Sequence, residues 1–156
     1  MHVKVVAVGK IREEYWKQAV EEYAKRLTAY TNVDIVEISN RDPVACGGER
    51  QARDVEGKHI LGEIENDPYV ILTAIDGMQY SSVDFSKHMQ ELMNTGHSDV
   101  TFVVGGSTGV SDAVRERADE TFSFGPITLP HDVARIVLLE QIYRSYKIMR
   151  GEPYHK

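Results

Sequence analysis

Residues 101–156 read TFVVGGSTGVSDAVRERADETFSFGPITLPHDVARIVLLEQIYRSYKIMRGEPYHK. A short apolar run, Phe102-Val103-Val104, meets a glycine-rich turn at Gly105, Gly106 and Gly109. A second run, Thr121 to Phe124, ends in the turn Gly125-Pro126. A long, mostly apolar helix is expected from His131 to Met149, followed by a tail carrying Tyr154, His155 and Lys156. Glycines, prolines, histidines and arginines thus gather around two strand ends and one helix. In open parallel sheets ligands bind outside the carboxyl ends of the strands, so this third of the chain is where chemistry is expected.

The upstream sequence supplies the rest of the sheet. Val3 to Val8 is β-branched and bounded by Gly9, as a buried strand is. Glu13 to Thr28 places Tyr15, Trp16, Ala19, Val20, Tyr23, Ala24 and Leu27 on one face of an amphipathic helix. Val33 to Ile38 is a second strand. Residues 40–49 read as a loop, from Asp42-Pro43 and Gly47-Gly48. Arg50 to Glu65 is a polar helix with Val55, Ile60, Leu61 and Ile64 inward. Tyr69 to Ile75 is a nearly continuous apolar strand, which favours a sheet covered on both faces, and Asp76-Gly77 is the turn after it. Ser81-Ser82 with Asp84 opens a helix with Phe85, His88, Met89, Leu92 and Met93 as its apolar stripe, and the Ser82 to Phe85 spacing lacks the acid of a full capping box. Val100 to Val104 is the fourth strand. This alternation predicts an α/β fold, a mostly parallel sheet with helices on both faces, in a single domain over residues 1–156.

A chain of 156 residues buries enough surface to fold without metals or disulfides. Cys46 is the one cysteine, so no internal disulfide forms and a reducing, cytoplasmic setting is expected. The five-residue apolar core near the N-terminus is too short for a signal peptide or membrane span. The net charge of −6 argues against a protein that coats nucleic acid over its whole surface. From Arg144 to Lys156, however, four basic residues face one acid, a local balance of +3 that leaves an RNA contact open.

Three strand ends, at Thr73 to Ile75, Val104 and Phe124, converge on one candidate site. The glycine spacing is neither a P-loop nor G-x-G-x-x-G. Gly105 to Gly109 does fit G-x-S-x-G, with Asp132 and His155 following Ser107 in the order of a hydrolase triad. The match is short, the chain is small for that fold, and no second oxyanion-hole loop follows an early strand. A serine hydrolase is therefore the alternative reading, beside a non-catalytic RNA-binding protein. The helix His131 to Met149 is apolar nearly all round, which calls for cover by a second subunit on the side its own sheet leaves free. Glu140 and Arg144 stand four apart within it and are neighbours. The six histidines lack ligand spacing, so no metal is expected. Asp112, Arg115 and Arg117 read as a solvated helix face.

The segments FVVGGSTG, ITLPH, RIVLLEQIYRSYKIMRG and EPYHK, with AVGKIREEYWKQAVEEYAKRL near the start, resemble the bacterial RlmH (YbeA-like) family. These are SPOUT-superfamily methyltransferases acting on large-subunit ribosomal RNA, and the similarity covers essentially the whole chain. The resemblance implies a trefoil knot in which residues 122–129 pass through a loop, a homodimer, and S-adenosylmethionine as cofactor. It implies N3-methylation of a pseudouridine in helix 69 of 23S rRNA on the assembled ribosome. Carried over, the cofactor residues are Thr73, Gly105, Phe124, Gly125, Pro126, Ile127, Thr128 and Leu129. The family more often has leucine where Thr73 stands, and Gly125-Pro126 also departs from its usual residues. The RNA end implied is Glu140, Arg144, Tyr154 and His155, with Arg135, Arg150 and Lys156 as further candidates. His155 or Glu140 would take the N3 proton.

Overall fold

Five strands, all but the last rich in β-branched residues, form one sheet in the computed structural model, which describes all 156 residues. They are β1 (His2–Val8), β2 (Asn32–Ile38), β3 (Val70–Gln79), β4 (Asp99–Val104) and β5 (Glu120–Ser123). Six helices intervene: α1 (Glu14–Leu27), α2 (Pro43–Cys46), α3 (Glu49–Ile64), α4 (Ser82–Asn94), α5 (Asp112–Arg117) and α6 (His131–Met149). The strand order is β2-β1-β4-β3-β5 and every pairing is parallel. Alternate residues of β1 point to opposite faces. Val3, Val5 and Ala7 pack with Phe85, Met89, Leu138, Leu139 and Ile142 under α1, α4 and α6. Val6 and Val8 pack with Ile60, Ile64 and Val114 under α3 and α5. The expected α/β architecture, with helices on both faces, is what forms.

Four local readings change. Within the expected loop at 40–49 lies α2: Asp42 caps it, accepting from the Val44 N–H at 3.0 Å, Pro43 takes the first turn, and Gly47 ends it at φ 88°. Asp-Pro followed by Gly-Gly brackets one helical turn. Asp76-Gly77 is no turn, because β3 runs through it to Gln79, with a register shift against β5 between Thr73 and Met78. A side chain at 77 would place Cβ 2.7 Å from the backbone of Phe122, so glycine lets the two backbones meet there. In α4 the cap is Ser81, whose Oγ accepts from the Asp84 N–H at 3.1 Å and donates to the Asp84 carboxylate at 2.7 Å. The acid of the capping box is present one frame earlier than Ser82 suggests. The inward face of α3 is Ala52, Glu56, Gly57, Ile60 and Ile64, while Val55 and Leu61 are only half-buried.

Three charged or polar side chains are also more structural than their spacing suggests. His88 is not part of an apolar stripe: its Nε2 lies 2.8 Å from the Glu120 carboxylate, and its ring stacks on Tyr80. Hydrogen bonding to Glu120 raises the His88 pKa despite its burial. Arg117 donates to the carbonyls of Ile64 and Asp67 at 3.1 and 2.5 Å, so it anchors α5 rather than lying on a solvated face. Arg135, a candidate for RNA contact by resemblance, is 1% exposed. Its Nη1 donates to Glu37 at 2.7 Å and its Nη2 to the Gly9 carbonyl at 2.8 Å. It is a core anchor with no surface to offer RNA.

Replacing Gly77 by alanine is expected to cost about 1–3 kcal/mol, because backbone rather than a movable side chain blocks the new methyl. Urea denaturation should show it. Gly62→Ala, on open helix surface, should be neutral or stabilising by up to about 1 kcal/mol.

Candidate cofactor pocket and tail cluster

The carboxyl ends of β3, β4 and β5 open onto a cavity of about 720 Å³. Thr73, Gly105, Phe124, Gly125, Ile127, Thr128 and Leu129, all named from sequence, line it. Pro126 does not; it is exposed on the rim and shapes the turn. Ala74 and Ile75, at the strand end read as part of the site, line it too, and so do Val110, Arg115 and His131, which sequence reasoning left out. The signal for His131 was the lone Gly9 ending β1: a side chain there would sit 2.9 Å from the His131 ring, so glycine makes room for it.

Part of the side-chain polarity in the wall is already engaged. The Thr73 hydroxyl donates to the Val103 carbonyl at 3.0 Å, so no unpartnered hydroxyl enters the cavity where the family more often carries leucine. The Ser123 hydroxyl donates to the Ile75 carbonyl at 3.0 Å and accepts from the Gly125 N–H at 3.0 Å. Gly125 has φ 107° and Gly109 φ 84°, backbone that only glycine adopts readily. Arg53 from α3 donates to the Thr108 carbonyl at 3.0 Å and steadies the turn. What is left to a ligand is main-chain N–H and C=O, the Ser107 and Thr128 hydroxyls and the His131 ring among apolar walls, the composition of a small-molecule site. A smaller depression, about 450 Å³, lies at the opposite end of the sheet. Its Lys4 and Asp67 pair at 3.3 Å and its His2 and Asp34 at 2.9 Å, leaving little for a ligand.

The second constellation is on α6 and the tail. Glu140 Oε1 accepts from Arg144 Nε at 2.9 Å, Arg144 Nη2 at 2.5 Å and the Tyr154 hydroxyl at 3.1 Å. Its Oε2 accepts from Gln141 Nε2 at 2.6 Å. The Arg144 guanidinium lies 4.6 Å from the Tyr154 ring centroid, and its Nη1 is 3.2 Å from His155 Nδ1. An arginine can only donate, so Nδ1 accepts in this arrangement. Burial, then the bond to Glu140, pushes the Tyr154 phenol up to about 12. The four residues named from sequence therefore form one network, and none of them lines the cavity. Arg144 stands thirteen positions along α6 from His131, about 20 Å at 1.5 Å per residue. Within one chain the two clusters do not meet.

Ser107 is exposed on the glycine turn, with no hydrogen bond to Asp132 or His155. His155 is held at Arg144, and α5 begins only at Asp112. The G-x-S-x-G match therefore lacks the base that a nucleophile requires. No group of three or more His, Cys, Asp or Glu side chains gathers as a metal site, and no helix is long and apolar enough to cross a membrane.

The family model described as "Predicted SPOUT methyltransferase" matches residues 1–155. Among solved structures, a probable methylase family protein from Haemophilus influenzae superposes with a TM-score of 0.58 at 8% identity, over 99% of this chain and 70% of its own. A probable methyltransferase from Bordetella pertussis gives 0.58 at 14% identity, over 92% and 95%. These two share the fold, which is that of a SPOUT methyltransferase. A protein from Lactobacillus acidophilus named Ribosomal RNA large subunit methyltransferase H is 46% identical across the full length of both chains. One of the same name from Listeria monocytogenes is 47% identical, again over both full lengths. The chain belongs to the RlmH family of SPOUT methyltransferases.

Glu140→Gln removes the carboxylate that holds the Tyr154 proton. The Tyr154 pKa should fall from about 12 part of the way toward the ordinary value near 10, burial keeping the remainder. Titration of ring-labelled tyrosine by NMR reads this directly.

Proposed function

We propose that this protein transfers the methyl group of S-adenosylmethionine to N3 of a pseudouridine in helix 69 of 23S rRNA, on the assembled ribosome in the cytoplasm, and works as a homodimer. The observation that carries the reading is the glycine-edged cavity at three converging strand ends, in a chain of the RlmH family.

The residues present fit the cofactor. Phe124, Ile127 and Leu129 offer apolar surface for an adenine, and Gly105, Gly125 and Thr128 offer main-chain groups to its polar edges. The cavity volume lies in the range for such ligands, about 300–1,000 Å³. When bound, the cofactor supplies an electrophilic methyl group on a positively charged sulfur. The trefoil passage of residues 122–129 belongs to the same reading.

The chain's own residues handle the substrate. N3 must lose its proton to become a nucleophile, and an exposed group able to exchange it suits the role. Glu140, holding four donors, is committed to fixing Arg144 and Tyr154. His155, exposed on the tail, is the proton acceptor we favour: Nδ1 is its basic nitrogen, and it takes the proton once the RNA displaces Arg144 from it. Arg150 and Lys156 provide cations for phosphate, which position the RNA without reading its sequence. Alignment of the base then contributes as a proximity effect.

The homodimer answers the separation of cavity and tail. Val133, Ile136 and Val137 of α6 are only half-covered, and Ile75, Met78 and Ile127 are exposed near the cavity. A second copy would cover these apolar groups and set the tail of one subunit over the cavity of the other.

Calorimetric titration should find S-adenosylmethionine binding at one site per chain; a folded dimer that binds none sinks the reading. Deleting residues 154–156 should lower methyl incorporation into ribosomes by about a hundredfold or more, with cofactor affinity nearly intact. Equal loss of both would return the tail to a structural part of the pocket. Glu140→Ala should also lower turnover, and full activity there would leave Glu140 a purely structural role.

A further inference from the structure

Behind the glycine turn of the cavity lies a carboxylate that none of the roles above uses. Glu56 of α3 is 4% exposed. Its Oε1 accepts the Arg41 backbone N–H at 2.8 Å, while its Oε2 has no hydrogen-bond partner. That free oxygen lies 3.4 Å from where a Cβ on Gly106 would stand, beside Val8. It is thus packed against the back of a turn whose front, at Gly105, Gly106 and Ser107, lines the cavity.

No cation is bonded to it. The guanidinium of Arg53, one turn earlier on α3, reaches the Thr108 carbonyl instead, and that of Arg41 reaches His59 at 3.3 Å. A buried carboxylate with one free oxygen and no counter-ion costs stability. The fold holds it in place nonetheless. The next residue, Gly57, lets α3 press so close that a Cβ would meet the Ser111 hydroxyl.

We infer that Glu56 adds negative potential behind the cavity and so helps it discriminate by charge, holding a cationic sulfonium ligand more tightly than its uncharged thioether counterpart. This rests on the cofactor reading above. The consequence for the cycle is direct: methyl transfer removes the sulfonium charge, so the spent cofactor loses this attraction and leaves more readily. Glu56 touches neither ligand nor substrate in this account; it is a specificity-determining residue acting across one layer of backbone.

The test is calorimetric affinity for S-adenosylmethionine and S-adenosylhomocysteine, measured in parallel on the full chain. Glu56→Gln keeps the size and the acceptor for Arg41 while removing the charge. Its affinity for S-adenosylmethionine should fall about tenfold, the order expected of losing one unit charge that acts through protein of effective dielectric near 20. Its affinity for S-adenosylhomocysteine should change less than about twofold on the same grounds. Glu56→Asp, which keeps the charge, should retain most of the wild-type ratio even if both affinities drop, and this holds the test open should the glutamine variant fold poorly. Equal losses for both ligands in Glu56→Gln, or loss of the ratio in Glu56→Asp, overturn the inference. A wild-type protein that binds neither ligand overturns the cofactor reading itself, and this inference with it.

Discussion

The guanidinium of Arg135 is the joint on which the site turns. It leaves α6 and reaches the ends of two strands, at Glu37 in β2 and the Gly9 carbonyl after β1. Burying an arginine is costly unless its charge is matched. Glu37 matches it at 2.7 Å while also accepting the Ile11 N–H at 3.0 Å. Burial pushes the Glu37 carboxyl up, but the Ile11 N–H and Arg135 outweigh it, so the net shift is downward. A depressed carboxyl contributes stability above its unfolded pKa and loses it as pH falls through the folded value. At neutral pH the clamp is therefore fully in force.

That clamp fixes α6 in both position and direction. At its first residue His131 sits against Gly9 and walls the cavity. Three turns on, the same rod carries Glu140 and Arg144. A rigid helix cannot bend its far end back to its near end, so one anchor both builds the pocket and keeps the tail network away from it. On the other flank the His88–Glu120 pair ties α4 to β5, the strand that runs directly into the cavity segment. The site is held at both edges by side-chain hydrogen bonds and in the middle by backbone.

How much was legible follows from this. Runs such as VKVVAV and FVVGG announce buried parallel strands because both faces are covered, and the α6 bounds, His131 to Met149, follow from its apolar pattern alone. The i, i+4 spacing brought Glu140 to Arg144, and the strand ends located the cavity. The sequence was silent where long-range contact decides. Gly77 reads as a turn residue until Phe122 is seen pressed against it. Arg135 reads as a surface cation until Glu37, ninety-eight positions away, receives it. Glu56 reads as one more charge on a polar helix, because nothing local says that Gly106 and Arg41 will close over it.

The basic tail shows the same gap between count and contact. Its balance of +3 suggests a surface ready for phosphate, yet much of that charge is used internally. Arg144 is bound by Glu140, and Lys147 by Glu152 at 2.7 Å, in a pair that Tyr30 completes at 2.6 Å. Hydrogen bonding to Glu152 raises the Lys147 pKa further. Arg150 lies over the Tyr30 ring at 4.8 Å, and of the four cations only it and Lys156 lack an acidic partner. Affinity drawn from phosphate neutralisation scales with the number of free cations, and two per chain is few. On the proposed reading, then, charge alone does not hold the RNA. On that reading Glu140 makes Arg144 and Tyr154 a preorganised set, and recognition would rest on how a particular RNA shape fits it, which would let an acidic protein act on RNA at a single place.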